Sequence, residues 1–395
     1  MRKFRIGSLF GIPIRLDVTF LLVLPLFAYL IGSDVGSLTP TLNDLFGRGI
    51  DAGPLTTGST PFVVGTVATL GLFVGIVLHE LGHSLVAMRY GYGIDSITLW
   101  IFGGIASLRE MPEDWREEFA IAIAGPIVSV VLGGLFYAVL VVLPTSLDAA
   151  RFVVGYLALL NVGLAAFNML PGFPMDGGRV LRALLARRRP YAQATRIAAE
   201  VGKAFALLLG ILGVFSNILL VGIAFFIYIG ASGEAEQVTL KATFEGVTVR
   251  DLMTPESELR VVDPDTSIAT LVERMFRERH TGYPVLDGPH LVGMITRQDV
   301  QDVPDVERDA YRVEDVMSTD LETIGPDEDA MTAIATMRAA GVGRLPVTDE
   351  EGELLGLISR TDLMTAFDLL RSGRGTGQPL SDLPPSETGP LPGDR

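Results

Sequence analysis

Six runs of apolar residues, near 17–33, 61–88, 119–143, 153–175, 198–215 and 217–231, limit what the chain can become. About 20 consecutive apolar residues cross the hydrocarbon core of a bilayer as a helix, and in lipid a backbone must satisfy its own hydrogen bonds. The first 231 residues are therefore predicted to form a polytopic α-helical membrane domain of about six transmembrane helices. Past Ser232 the apolar runs stop and the composition becomes that of a soluble domain. The charge divides at the same place: residues 1–231 hold 16 basic and 14 acidic side chains, the remainder 15 and 32. Nucleic acid and anionic lipid attract basic surfaces, so this acidic part suits neither, and no nucleic-acid partner is expected. The chain has no cysteine, which excludes disulfides and leaves His, Asp and Glu to hold any metal.

Arg2, Lys3, Arg5 and Arg15 precede the first run. Arg89, Arg109 and Arg116 follow the second, and Arg179, Arg182, Arg187, Arg188 and Arg189 follow the fourth. The alternate loops carry little basic charge beyond Arg48 and Arg151. By the positive-inside rule both termini are expected in the cytosol of a multi-pass cell-membrane protein, which an even number of spans also requires. The N-terminal basic residues and apolar run lack a small-residue cleavage site, so the first span is expected to stay.

The second run ends in GIVLHELGHSLVAMRYG, residues 75–91. Hydrocarbon penalises His79, Glu80 and His83 unless they are paired or ligated. On a helix, positions i and i+4 share a face, so the two imidazoles can meet at one metal ion. Glu80 is offset by one residue and can take a proton from water that the metal acidifies. A hydrolytic site usually needs a third protein ligand, and His280 and His290 lie in the soluble part. Asp176, in FNMLPGFPMDGGRVL, is the leading carboxylate, because Pro171 and Pro174 must break the fourth helix there. Irregular backbone at membrane depth is tolerated where it is buried or lines a cavity. Asp176 can equally cap the helix that starts near Gly177. Between spans two and three, ITLWIFGGIASL (residues 97–108) is too short to cross. It reads as a short re-entrant strand or as an interfacial loop. An exposed strand edge there could pair with an unwound substrate, with Gly103 and Gly104 allowing close backbone approach.

HELGH inside a span, FGG, AGP (residues 124–126) and NMLPGFPMDGG, taken in order, resemble the site-2 protease family of intramembrane zinc metalloproteases. The resemblance implies Zn2+ held by His79, His83 and Asp176, with Glu80 as general base. It implies Asn168 as an amide donor to the tetrahedral oxyanion, and as substrate the transmembrane segment of a single-span membrane protein in the lipid bilayer. Relatives often carry a histidine where this chain has Asp17. A transporter or channel is the competing class, since broken helices and intramembrane carboxylates occur there too.

The soluble part repeats itself. Asp251-Leu252-Met253 aligns with Asp315-Val316-Met317, Tyr283-Pro284-Val285 with Leu345-Pro346-Val347, and Thr296 to Asp299 with Ser359 to Asp362. Each copy reads as a helix, two short strands and a helix, and the period predicts two similar units packed together. The copies resemble a tandem pair of CBS domains, a soluble α/β pair that senses adenosine nucleotides. The resemblance implies ATP or AMP at Thr296 and Asp299 and at Ser359 and Asp362, with Arg297 and Arg360 near phosphate. A purely structural role and homodimerisation through the pair both stay open. The expected layout is a protease domain over 1–231, repeats over 245–303 and 309–371, and a Pro/Gly/Ser-rich disordered tail over 372–395.

Overall fold

A computed structural model describes residues 3–100, 103–109, 112 and 114–373. The chain divides into two compact units, Met1–Val238 and the residues from Thr239 onward.

The first unit opens with an element that was read only as a basic flank. β1 (Lys3–Leu9) and β2 (Ile12–Asp17) form an antiparallel hairpin. Ile12 and Ile14 of β2 face the core, while Phe4 and Ile6 of β1 are exposed. The chain then enters α1 (Phe20–Ser33), which meets α2 (Val35–Phe46) at 70°. The first predicted span is thus a bent pair. Asp17 accepts hydrogen bonds from the backbone N–H and hydroxyl of Thr19, at 3.0 and 2.8 Å, and so braces the entry to α1.

α3 (Thr60–Arg89) carries the HELGH motif and leads to β3 (Ile94–Trp100) and β4 (Gly103–Leu108). The segment expected as one short strand, 97–108, is therefore two paired strands, and residues 101–102 between them lie outside the described residues. The hairpin closes between paired Trp100 and Gly103, and Gly103 has φ +126°, a region that only glycine enters without strain. β2 pairs with β3 in parallel, giving a sheet in the order β1-β2-β3-β4 with β4 at an edge.

α4 (Trp115–Val142), α5 (Asp148–Asn168), α6 (Asp176–Ala186), α7 (Tyr191–Ser216) and α8 (Ile218–Phe244) complete the unit's helices. Among the described residues five helices, or six spans with the bent pair, are long and apolar enough to cross a membrane. α5 stops at Asn168 rather than continuing to 175, because Pro171 and Pro174 cannot donate helix hydrogen bonds. α8 runs through Ser232 to Phe244, so the change in composition falls inside a helix.

The second unit contains α9 (Val249–Leu252), β5 (Thr254–Pro255), α10 (Ile268–Glu278), β6 (Gly282–Asp287), β7 (His290–Thr296) and α11 (Arg297–Gln301). The second copy follows as α12 (Ala330–Ala340), β8 (Arg344–Thr348), β9 (Leu354–Ser359) and α13 (Arg360–Gly373). The copies exchange their leading segments. Phe244, Val247 and Val249 pack with Leu345, Val347 and Ile358 of the second copy, whereas Val313 packs with Leu271, Tyr283 and Ile295 of the first. β5 likewise joins β9 and β8 in one sheet. α13 extends to Gly373 because Leu370 packs on the second core, so residues 372–373 of the expected disordered tail are helical. The rest of that tail, 374–395, lies outside the described residues.

Candidate active site

Three side chains from two elements converge. His79 and His83 sit one turn apart on α3, both buried, with Nε2 atoms 3.2 Å from each other. Asp176 opens α6 directly after the proline-broken stretch, and its Oδ2 lies 3.1 Å from each Nε2. Met175, not Asp176, holds the capping position of α6, so the carboxylate is turned toward the histidines. Among the described residues this is the one His/Asp/Glu group arranged to hold a metal ion.

The opposite ring nitrogens decide what the converging atoms can do. His83 Nδ1 lies 2.7 Å from the carbonyl of Ile121 on α4. A carbonyl only accepts, so Nδ1 carries the proton and Nε2 presents a lone pair. His79 Nδ1 meets the Ser129 hydroxyl, also on α4, at 2.8 Å. Where the Ser129 hydroxyl accepts from His79 Nδ1–H, the second Nε2 also presents a lone pair, and two lone pairs and a carboxylate oxygen facing one point repel each other unless a cation or shared proton lies between them. Two imidazoles and one carboxylate with an open position form a hydrolytic Zn2+ donor set, and the residues fit that ion.

α4 approaches α3 closely enough to supply these partners because of AGP. A Cβ added at Gly125 would strike the imidazole of His83, and one added at Gly82 would come within 2.8 Å of Val128 Cγ2. Neither Ser129 nor Ile121 was picked out from the sequence. A hydroxyl inside an apolar run is a usable signal for Ser129; a backbone carbonyl leaves none.

The Glu80 carboxylate reaches the sheet, where its Oε2 accepts from the Ala106 N–H of β4 at 3.2 Å. Gly104, two residues earlier, gives this carboxylate its room: an added Cβ would lie 2.7 Å from Glu80 Cγ. β4 and the candidate base are therefore neighbours. Gly103 sits at the hairpin end, away from these contacts. Asn168 is not drawn into the cluster; its side-chain amide donates to the Leu164 carbonyl at 3.0 Å.

In the second unit, Asp299 Oδ2 accepts from the backbone N–H and hydroxyl of Thr296, both at 2.7 Å. Asp362 Oδ2 accepts from the same groups of Ser359, at 2.9 and 2.7 Å. Each pair closes the start of a helix, a structural job these residues already perform. Arg344 joins the copies by donating to the Gly282 carbonyl and the Thr281 hydroxyl, at 3.0 and 2.8 Å. Burial draws its guanidinium below the usual value, and the Asp362 charge opposes that shift.

A two-histidine, one-carboxylate centre beside a candidate base, built on membrane-length helices, defines a membrane-embedded metallohydrolase. Comparison with known proteins narrows this. The chain matches Peptidase family M50 over residues 67–150 and 145–209, and CBS domain over residues 249–304 and 313–369. It is 34% identical over 372 residues to zinc metalloprotease MJ0392 of Methanocaldococcus jannaschii, covering 93% of this chain and 96% of that one. It is 30% identical over 381 residues to sll0528 of Synechocystis sp., covering 91% and 94%. The structure of the site-2 protease from Methanocaldococcus jannaschii is 34% identical with TM-score 0.41, covering 59% of this chain and 95% of that chain. The chain belongs to peptidase family M50, the site-2 proteases, as a zinc metalloendopeptidase with a tandem CBS pair.

Proposed function

We propose that the protein cuts the transmembrane segments of single-span membrane proteins, with His79, His83 and Asp176 holding one Zn2+ and both termini in the cytosol. The convergence of those three side chains on one point, 3.1–3.2 Å apart, carries the reading. Bound zinc supplies Lewis acidity, which polarises a peptide carbonyl and acidifies water. The remaining steps fall to the protein. The Ile121 carbonyl fixes the tautomer of His83 and the Ser129 hydroxyl orients the His79 ring, and Glu80 takes the proton from the attacking water and passes it to the leaving amine. Asn168, released from Leu164, donates its amide to the developing oxyanion.

A transmembrane helix resists hydrolysis because its carbonyls are already hydrogen-bonded, so the substrate must be held extended. The open edge of β4, with Gly103 and Gly104, offers a partner strand. Ala106 lies on that edge, and a substrate strand taking its N–H would release Glu80 for catalysis. The pairs Thr296/Asp299 and Ser359/Asp362 are the proposed ATP or AMP contacts. Any nucleotide control is limited to its differential affinity for two states of the protein. Homodimerisation through the pair belongs to the same reading.

The test is metal analysis with add-back. Purified protein should hold one zinc per chain, lose cleavage with a strong chelator and regain it with Zn2+; unchanged cleavage by metal-free protein would refute the assignment.

A further inference from the structure

We propose that Arg182 is a positioning residue for the reaction: its guanidinium fixes α6, and with it the Asp176 carboxylate, against the helix that orients both histidines. The proposal rests on the zinc reading above. Arg182 is 1% exposed, among the most enclosed side chains described. Its Nε donates to Glu118 Oε1 of α4 at 2.6 Å, and Nη2 reaches the same oxygen at 2.5 Å. Nη1 donates to Glu234 Oε1 of α8 at 2.7 Å. The rings of Phe173 and Tyr191 each lie 4.8 Å from its Cζ. One side chain thus ties α6 to α4 and α8 and rests on Phe173, in the stretch before its own helix, and on Tyr191, which opens α7.

Stability alone is a poor reason for this cluster. A buried ion pair is often no better for stability than apolar side chains of the same volume, and Glu118 Oε2 is left buried without a partner. Location is the better reason. α6 has only 11 residues and follows the irregular stretch 169–175, so its own hydrogen bonds hold its start weakly. Arg182 lies six residues after Asp176, about 9 Å along the helix at 1.5 Å per residue. Glu118 lies one turn before Ile121, whose carbonyl orients His83. The clamp therefore sets the spacing between the carboxylate ligand and the helix that aims the imidazoles.

The experiment uses the full chain with Arg182→Met, Arg182→Lys and Glu118→Gln. Zinc affinity is read by chelator competition, kcat and KM on a transmembrane substrate, and folding by gel filtration and helicity. Arg182→Met should stay folded, bind zinc about 10–100-fold more weakly, and lose kcat with little change in KM. Arg182→Lys should recover only part of this, since a single ammonium lacks the planar fork whose Nε and Nη2 reach Glu118 while Nη1 reaches Glu234. Should Arg182→Met not fold, Glu118→Gln carries the same expectation with the side-chain shape retained. Folded variants with lowered thermal stability but wild-type zinc affinity and kcat would make the clamp merely structural and overturn the proposal. Wild-type protein that binds no zinc would overturn the underlying metal reading as well, and is distinguished by failing before any variant is made.

Discussion

The Ser129 hydroxyl, 2.8 Å from His79 Nδ1, orients the ring whose Nε2 faces Asp176, so the metal centre depends on single side chains of α4 as well as on its own ligands. Four-residue spacing alone puts His79 and His83 on one face of α3, and the prolines ahead of Asp176 mark the break that lets a carboxylate approach. What escaped the sequence depends on the register of α3 against α4. Ser129, Ile121 and Gly125 matter only because those helices pack with their backbones close, and no spacing within either helix encodes that. Asn168 was named from its motif, yet its amide bonds to its own helix here. The Ser129 contact has a direct consequence. Ser129→Ala leaves His79 Nδ1 without its partner and should weaken zinc binding about 10–100-fold, as measured by chelator competition. Unchanged affinity would mean that the hydroxyl does not orient the ring.

At the level of elements, the long helices were readable from hydropathy because lipid admits few alternatives to a helix. The sheet was not. β1 and β2 alternate apolar and basic residues too briefly to be told from the flank of a span, and β3 and β4 read as one strand because only two residues separate Trp100 from Gly103 in the sequence. The resulting edge strand nonetheless lies against Glu80. Gly104→Pro removes an N–H from the edge that also carries Ala106 and adds bulk beside Glu80. Cleavage should fall about 100-fold, the scale of a displacement near 1 Å at a catalytic centre, while bound zinc is retained. Full cleavage by this variant would remove β4 from the substrate-binding role.

Across the whole molecule, the first unit is built on long apolar helices and the second packs cores of its own, one of which holds Phe244 with Leu345 and Val347 of the second CBS copy. The repeat was plain in the sequence; the exchange of leading segments between copies was not, because it is set by packing of Val247 and Val249 rather than by repeat order. Thr296, Asp299, Ser359 and Asp362 already close helix starts, so nucleotide binding must be shown separately from stability. Calorimetry should show heat on adding ATP or AMP to wild type and a weaker signal with Asp299→Asn or Asp362→Asn. No heat with any adenine nucleotide would leave the pair a structural module. The central claim, hydrolysis by a base beside a zinc centre, is tested most directly by comparing wild type with Glu80→Gln on a single-span substrate in detergent. Wild type should cleave, and Glu80→Gln should keep its zinc but be slower by about 10²–10⁴-fold; equal rates for the two would contradict the account.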